Sequence, residues 1–247
     1  MKTGYELVKI EENTQISKNI FKMKVLTNAK ALPGQFYMIR TGRDNHPLLS
    51  RAISVSDVSS DYLTFLYQAK GTGTKLMSEY KAGESIKILG PLGNGFDLDI
   101  AGRVAVVGGG IGIAPLYYLA KSLKNAEIDI FIGFRDESYF SEEFCEISSN
   151  IYIYSDTGKS GKKGFVTMDI DTGAYDRIYG CGPAPMIRAL CRICSDKTKL
   201  FLSLERNMAC GIGACLGCNV MTADGVKRVC KDGPVFRADQ FLTKEDI

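Results

Sequence analysis

Between residues 1 and 100 the apolar positions come in short runs divided by turn-forming residues. Runs at 5–10, 20–26, 35–40, 51–55, 62–67 and 85–89 are separated by Pro33-Gly34, the polar stretch 57–61 and Ala82-Gly83. Several short strands at this spacing predict an antiparallel barrel or sandwich. A short helix is predicted over 73–79. The Pro-Leu-Gly-Asn-Gly loop at 91–95 closes this unit, so a first domain is placed at 1–100.

From Arg103 the pattern changes. An unbroken apolar strand is predicted at 104–107 and a helix at 115–123. Strands follow at 128–134, 151–154 and 177–179, then a helix at 184–194 and a closing strand at 200–204. Strand–helix alternation with wholly apolar strands predicts a parallel α/β sheet, the second domain, 101–204. The remainder, 205–247, has too few apolar residues for a core of its own and needs a staple. The chain contains no internal repeat and no low-complexity tract.

Composition narrows the function classes. Of 247 residues, 45% are apolar and 24% charged, which suits a globular protein. Lys+Arg total 31 and Asp+Glu 28, a net charge of 31 − 28 = +3. That balance gives no reason to expect a nucleic-acid groove or a polybasic membrane patch. The one histidine, His46, excludes a His-rich zinc site and the two-His ligation of a Rieske cluster. The N-terminal residues carry no apolar run of the signal-peptide kind. The longest uncharged run, 104–120, is 17 residues, broken by glycines and Pro115, and too short to span a membrane. A cytoplasmic location with reduced thiols is therefore expected. Four of the eight cysteines fall between Cys210 and Cys230, which in a reducing compartment points to metal or redox chemistry.

The spacing Cys210-x4-Cys215-x2-Cys218-x11-Cys230 supplies three thiolates from one tight loop and a fourth from farther along the chain. That is the plant-type [2Fe–2S] pattern. Gly211, Gly213 and Gly217 let the backbone wrap closely around a cluster. Structural zinc usually takes two C-x2-C knuckles, and here only Cys215–Cys218 qualifies. Cys191-x2-Cys194 lies on a predicted helix with no second pair nearby and reads as two buried small hydrophobes. Cys145 reads as core.

Two glycine-rich turns follow predicted strands. Gly108-Gly109-Gly110-Ile111-Gly112 precedes the helix that holds Pro115, and Gly180-Cys181-Gly182-Pro183 precedes the next. Such turns let a backbone approach a pyrophosphate at a helix N-terminus. The third glycine of the dinucleotide fingerprint is absent, so the first turn alone also fits a tight structural turn. Both turns at one sheet edge make a ligand crevice. Cys181 either packs beside a nicotinamide ring or fills space. The second strand ends Phe134-Arg135-Asp136: Asp136 suits a ribose hydroxyl and Arg135 a 2′-phosphate, so the residues leave NAD against NADP open.

Arg51-Ala52-Ile53-Ser54 offers a guanidinium fork and a hydroxyl at a strand start. With the two turns it resembles the R-P-I-S flavin signature of the ferredoxin–NADP⁺ reductase superfamily, whose domain order is the one predicted here. Leu66-Tyr67-Gln68, Gly71-Thr72-Gly73-Thr74, Gly90-Pro91-Leu92-Gly93, the segment 205–210 and the tail 229–236 narrow the likeness. The chain is similar, over nearly its whole length, to the electron-transfer subunits of NAD⁺-dependent dihydroorotate dehydrogenase B. Ala52 departs from the usual proline there, which bears only on loop stiffness.

The resemblance implies FAD held by Arg51, Ala52, Ile53, Ser54, Leu66, Tyr67, Gln68, Gly73 and Thr74. It implies NAD(H) at Gly108, Gly110, Gly112, Cys181, Gly182 and Pro183, and a [2Fe–2S] cluster on Cys210, Cys215, Cys218 and Cys230. It also implies an FMN-containing catalytic subunit that oxidises dihydroorotate for pyrimidine biosynthesis, joined in a hetero-oligomer (a heterotetramer). No general acid or base is expected in this chain. Flavin/iron–sulfur alpha subunits of NADH-dependent ferredoxin:NADP⁺ oxidoreductases or of sulfide dehydrogenases share the layout and form the first alternative. A zinc-stapled binding module is the second.

Overall fold

Six strands close into an antiparallel barrel: β1 (Glu6–Ser17), β2 (Ile20–Leu26), β3 (Phe36–Arg40), β4 (Arg51–Val58), β5 (Tyr62–Gln68) and β6 (Ser85–Leu92). Their order around the barrel is β1-β2-β5-β4-β3-β6. The computed structural model describes residues 4–42, 46–148 and 150–241. Residues 1–3, on which part of the no-leader reading rests, and 242–247, the end of the third segment, lie outside these. Alternation puts Val8, Ile10, Met23, Val25, Ile39, Leu63 and Phe65 inside the barrel. Helix α1 (Thr72–Glu79) closes one end with Met77, and Asn13 Nδ2 donates to the carbonyls of Met77 and Tyr80 at 3.0 and 2.9 Å.

The first strand runs well past its predicted end at residue 10. Residues 11–17 are polar apart from Ile16 and show no apolar alternation. They are strand because the Lys18-Asn19 turn, with Asn19 at φ 61°, returns β2 alongside them, pairing Gln15 with Phe21.

The second sheet contains β7 (Gly102–Gly109), β8 (Ala126–Phe134), β9 (Asn150–Ser155), β10 (Lys162–Lys163), β11 (Arg177–Cys181) and β12 (Leu200–Ser203), all parallel. Helices α2 (Ile113–Ser122), α3 (Ser141–Cys145) and α4 (Ala184–Ile193) lie in the crossovers. Val104 and Val106 of β7 pack with Ile113, Leu116 and Leu119 of α2. Ala105 and Val107 pack on the opposite side with Ile187 and Leu190 of α4. Burial on both faces is why this strand reads as an unbroken apolar run. The spatial order β10-β9-β8-β7-β11-β12 makes the chain reverse direction between β7 and β11. Such a switch point leaves a crevice at the carboxyl ends of the two strands.

The tail is grafted onto this body. It forms the hairpin β13 (Asn219–Thr222) and β14 (Gly225–Arg228), a short α5 (Val229–Asp232) and β15 (Val235–Arg237). β15 joins the edge of the parallel sheet antiparallel to β12. Val220, Val229, Phe236 and Phe241 enter one core with Leu200 and Leu202 of the sheet and with Phe36 and Met38 of the barrel. The tail's few apolar residues therefore complete a core shared with both neighbours. The barrel and sheet are also tied by Tyr179, whose hydroxyl donates to the Asp97 carbonyl at 2.6 Å, and by Lys121 to Asp57 at 2.7 Å. Cys191 and Cys194 are buried. Cys145, expected in the core, is exposed instead: on the single turn of α3 its neighbour Phe144 takes the inward face. Among the described residues no helix is long and apolar enough to cross a membrane.

Candidate redox site

A cavity of about 450 Å³ lies between the barrel and the sheet, within the range of cofactor pockets. Arg51, Ala52, Ile53 and Ser54 at the start of β4 line it, together with Leu66, Tyr67, Gln68 and Thr74. Arg51 is fixed from two sides. Its Nη1 donates to the Leu49 carbonyl at 2.9 Å, and its guanidinium lies so close to Gly73 that a Cβ there would overlap it. Gly73 thus supports the cavity by yielding space to Arg51. Thr74 Oγ1 accepts from the backbone N–H groups of Lys70 and Gly71 at 3.1 and 3.2 Å, fixing the turn into α1. Leu66 and Tyr67 are core side chains, and the Tyr67 hydroxyl donates to Asn13 Oδ1 at 2.9 Å inside the barrel. Burial holds that phenol above its ordinary pKa.

A second cavity, about 640 Å³, opens at the switch point. Gly110 and Gly112 line it from the first turn, and Gly182 and Pro183 from the second. A Cβ on Gly112 would strike the Cys181 backbone. Only glycine allows the two turns to meet this closely. Gly108 lines neither cavity: it lies beneath them, against Ile113 and Leu116. Cys181 lines the first cavity beside its cross-strand neighbour Ser203, and burial raises its thiol far above its usual pKa. Arg135 and Asp136 both line the second cavity, so the groups weighed for NAD against NADP stand side by side.

The four clustered cysteines meet in pairs. Cys215 N–H donates to Cys210 Sγ at 3.4 Å, and Cys230 N–H to Cys218 Sγ at 3.4 Å. Gly213 N–H donates to Cys230 Sγ at 3.1 Å. Burial acts to raise the Cys210 thiol, but N–H groups of Cys215, Ile212 and Ala214 outweigh it and bring the pKa to about 6. Cys230 is pushed up to about 12 by burial and by the adjoining Cys218. Among the described residues no three His, Cys, Asp or Glu side chains gather around a single point as one zinc ion requires. Two thiol pairs suit two irons. Gly211, at φ 71°, presses on Met38 of the barrel, where any side chain would collide. Ile212, Ala214, Cys215 and Leu216 face outward. Leu216 is 59% exposed and holds φ 58°, a left-handed conformation unusual for leucine.

The segment 205–208, between β12 and the cysteine loop, lines the first cavity. Sequence reasoning gave these residues no site role, because nothing in their pattern marks a cavity wall. Phe36, Leu204 and Met208 line that cavity and also pack in the core that holds Cys218 and Cys230. Glu205 lines both cavities, as do Gln68, Lys70 and Ile111.

A flavin-sized cleft between barrel and sheet, a dinucleotide-type crevice beside it and a paired-thiol loop behind it define a ferredoxin–NADP⁺ reductase-like protein with an iron–sulfur tail. Solved structures agree. The chain is similar to the structure described as the NADH-dependent reduced ferredoxin–NADP oxidoreductase of flavin-based electron bifurcation. That match has TM-score 0.84 and 30% identity, over 96% of this chain and 90% of the other. Ferredoxin–NADP⁺ reductase from Plasmodium falciparum shares the fold at TM-score 0.65 and 17% identity, over 81% of this chain and 96% of the other. Residues 205–242 match the iron–sulfur cluster binding domain of dihydroorotate dehydrogenase B. The dihydroorotate dehydrogenase B (NAD(+)) electron transfer subunit of Clostridium acetobutylicum is 40% identical, over 99% of this chain and all of that one. Its counterpart from Clostridium perfringens is 44% identical, over 92% and 94%. The chain belongs to the family of dihydroorotate dehydrogenase B (NAD⁺) electron transfer subunits, and it is an oxidoreductase subunit.

Proposed function

We propose that the chain accepts single electrons at a [2Fe–2S] cluster from the FMN of a dihydroorotate-oxidising subunit and delivers them through FAD to NAD⁺. The observation that carries this is serial placement. The thiol pairs share a wall with the first cavity through Phe36, Leu204 and Met208, and the first cavity shares a neck with the second. A bound flavin supplies the conversion between one-electron and hydride transfer, and the protein supplies position and tuning. In this reading Arg51 and Ser54 orient the flavin, with Ala52, Ile53, Leu66, Tyr67, Gln68 and Thr74 shaping its bed and Gly73 making room for Arg51. Gly110, Gly112, Gly182 and Pro183 admit the dinucleotide pyrophosphate, and Cys181 stands at the flavin side of the junction. Cys210 and Cys215 take one iron, and Cys218 and Cys230 the other. The NAD⁺ preference rests on the relatives' names; Asp136 provides the ribose acceptor.

The same reading divides the chain at about residues 100 and 204 and places it in the cytoplasm, where thiols stay reduced. The catalytic subunit docks over Ile212, Ala214 and Leu216, close to the exposed Cys215. The test is anaerobic reconstitution with that subunit. Dihydroorotate:NAD⁺ activity is expected only with both chains, whereas NADH should reduce bound FAD in this chain alone. Failure of NADH to reduce the flavin overturns the relay. The structural similarity to the ferredoxin–NADP oxidoreductase supports the second reading. Activity with that enzyme's partner subunit and none with the FMN subunit would establish it.

A further inference from the structure

Gln68, Lys70, Ile111 and Glu205 frame the neck between the two cavities. Lys70 and Glu205 are its charged members. Glu205 is exposed and lines both cavities. Desolvation by the surrounding protein raises its pKa, and Lys70 is the cation that opposes the rise. Glu205 shares the first cavity with Cys181 and Arg51. A nicotinamide that reaches from the second cavity toward the first must stand at this neck. The oxidised ring carries a positive charge and the reduced ring carries none. A carboxylate here distinguishes the two by charge alone, in a partly enclosed setting where charge interactions exceed those in water.

We propose that Glu205 is a specificity-determining residue that favours the cationic, oxidised nicotinamide over the neutral, reduced one, and that Lys70 sets how strongly. The arrangement favours capture of NAD⁺ and release of NADH, the direction in which the chain delivers electrons. The inference rests on the reading of the second cavity as a dinucleotide site.

The test measures binding to the oxidised, flavin- and cluster-loaded protein by calorimetry and by perturbation of flavin absorbance. The probes are NAD⁺, ADP-ribose, which lacks the ring, and 1,4,5,6-tetrahydro-NAD, whose ring is neutral and donates no hydride. Glu205→Gln is expected to weaken NAD⁺ about tenfold while tetrahydro-NAD and ADP-ribose keep their affinities. Lys70→Met is expected to move the ratio of NAD⁺ to tetrahydro-NAD affinity the other way, and it tests the idea even if Glu205→Gln loses flavin. Equal changes for the charged and neutral rings, or none for either, overturn the inference while ADP-ribose binding preserves the dinucleotide reading. Failure of ADP-ribose to bind the unaltered protein overturns both.

Discussion

The barrel and the tail hairpin are both antiparallel, but they bury very different surfaces. Ile10, Met23, Val25, Ile39 and Leu63 of the barrel have zero exposure. The hairpin buries Val220 and Thr222 on one face and leaves Met221 and Val226 in solvent on the other. A lone two-stranded hairpin is at best marginally stable in water. The barrel is held by its own core, whereas the tail depends on what it is attached to: the sheet edge through β15, the outer wall of the barrel through Met38 and Gly211, and, on the proposed ligand set, a cluster on four thiols. Where the tail's stability resides can be tested by cutting these attachments one at a time.

The largest effect is expected at the cluster. Serine at Cys210, Cys215, Cys218 or Cys230 should remove it, read as lost iron, lost acid-labile sulfide and loss of the EPR signal of the reduced protein. Bound FAD and the main thermal transition of the body should survive. Cys191→Ser and Cys194→Ser should leave the cluster intact, because both residues pack in the core shared by α4 and the sheet. A full cluster in any one of the first four variants would sink the ligand assignment.

Next comes the sheet edge. Phe236 is 4% exposed and meets Phe241 edge-on at 5.7 Å between ring centroids. Phe236→Ala should cost about 3–5 kcal/mol, as for other buried aromatics. If the tail is a separate cooperative unit, calorimetry will show a new transition at lower temperature, and iron will be lost before flavin. A single shifted transition would instead make tail and body one unit.

The sequence disclosed these two regions unequally. Barrel and sheet announced themselves through periodicity, because burial on one face or on both dictates which positions are apolar. The four clustered cysteines stood out because metal chemistry fixes residue type and spacing. The strands β13, β14 and β15 were not legible: each is short, and Val235-Phe236-Arg237 is strand only because β12 offers it an edge. Residues 205–208 helped narrow the family likeness but gave no sign of lining a cavity, since a wall made by a connecting segment has no repeat. Gly108 misled for a related reason. A glycine needed for helix packing looks, in sequence, the same as one needed for a phosphate.

A smaller effect is expected on the tail's outer face. Leu216 combines 59% exposure with a left-handed backbone. Leu216→Asp would bury an unpaired carboxylate if a partner covers this loop, costing about 2 kcal/mol, or roughly thirtyfold in affinity. NADH-to-dye activity through the flavin should be untouched. Unchanged complex formation by gel filtration, with full dihydroorotate:NAD⁺ activity, would move the docking surface elsewhere.

The smallest expected effect probes the barrel from its outside, where the core makes no contribution. Glu12 on β1 lies 3.2 Å from both Lys22 and Lys24 on β2. Burial acts to raise its carboxyl pKa, but hydrogen bonds and charge from the two lysines prevail and hold it below the ordinary value. A carboxylate with a depressed folded pKa stabilises the protein fully above its unfolded pKa of about 4.3. That contribution fades as pH falls through the folded value. Because the pair is partly in solvent, it should amount to only about 0.5 kcal/mol. Glu12→Gln should therefore lower the thermal midpoint of the body slightly at pH 7 and flatten its fall between about pH 5 and pH 3, while tail melting and iron content follow the unaltered protein at every pH. A parallel shift of both transitions would show that the barrel's outer charges reach the tail and that the two regions are not independently held.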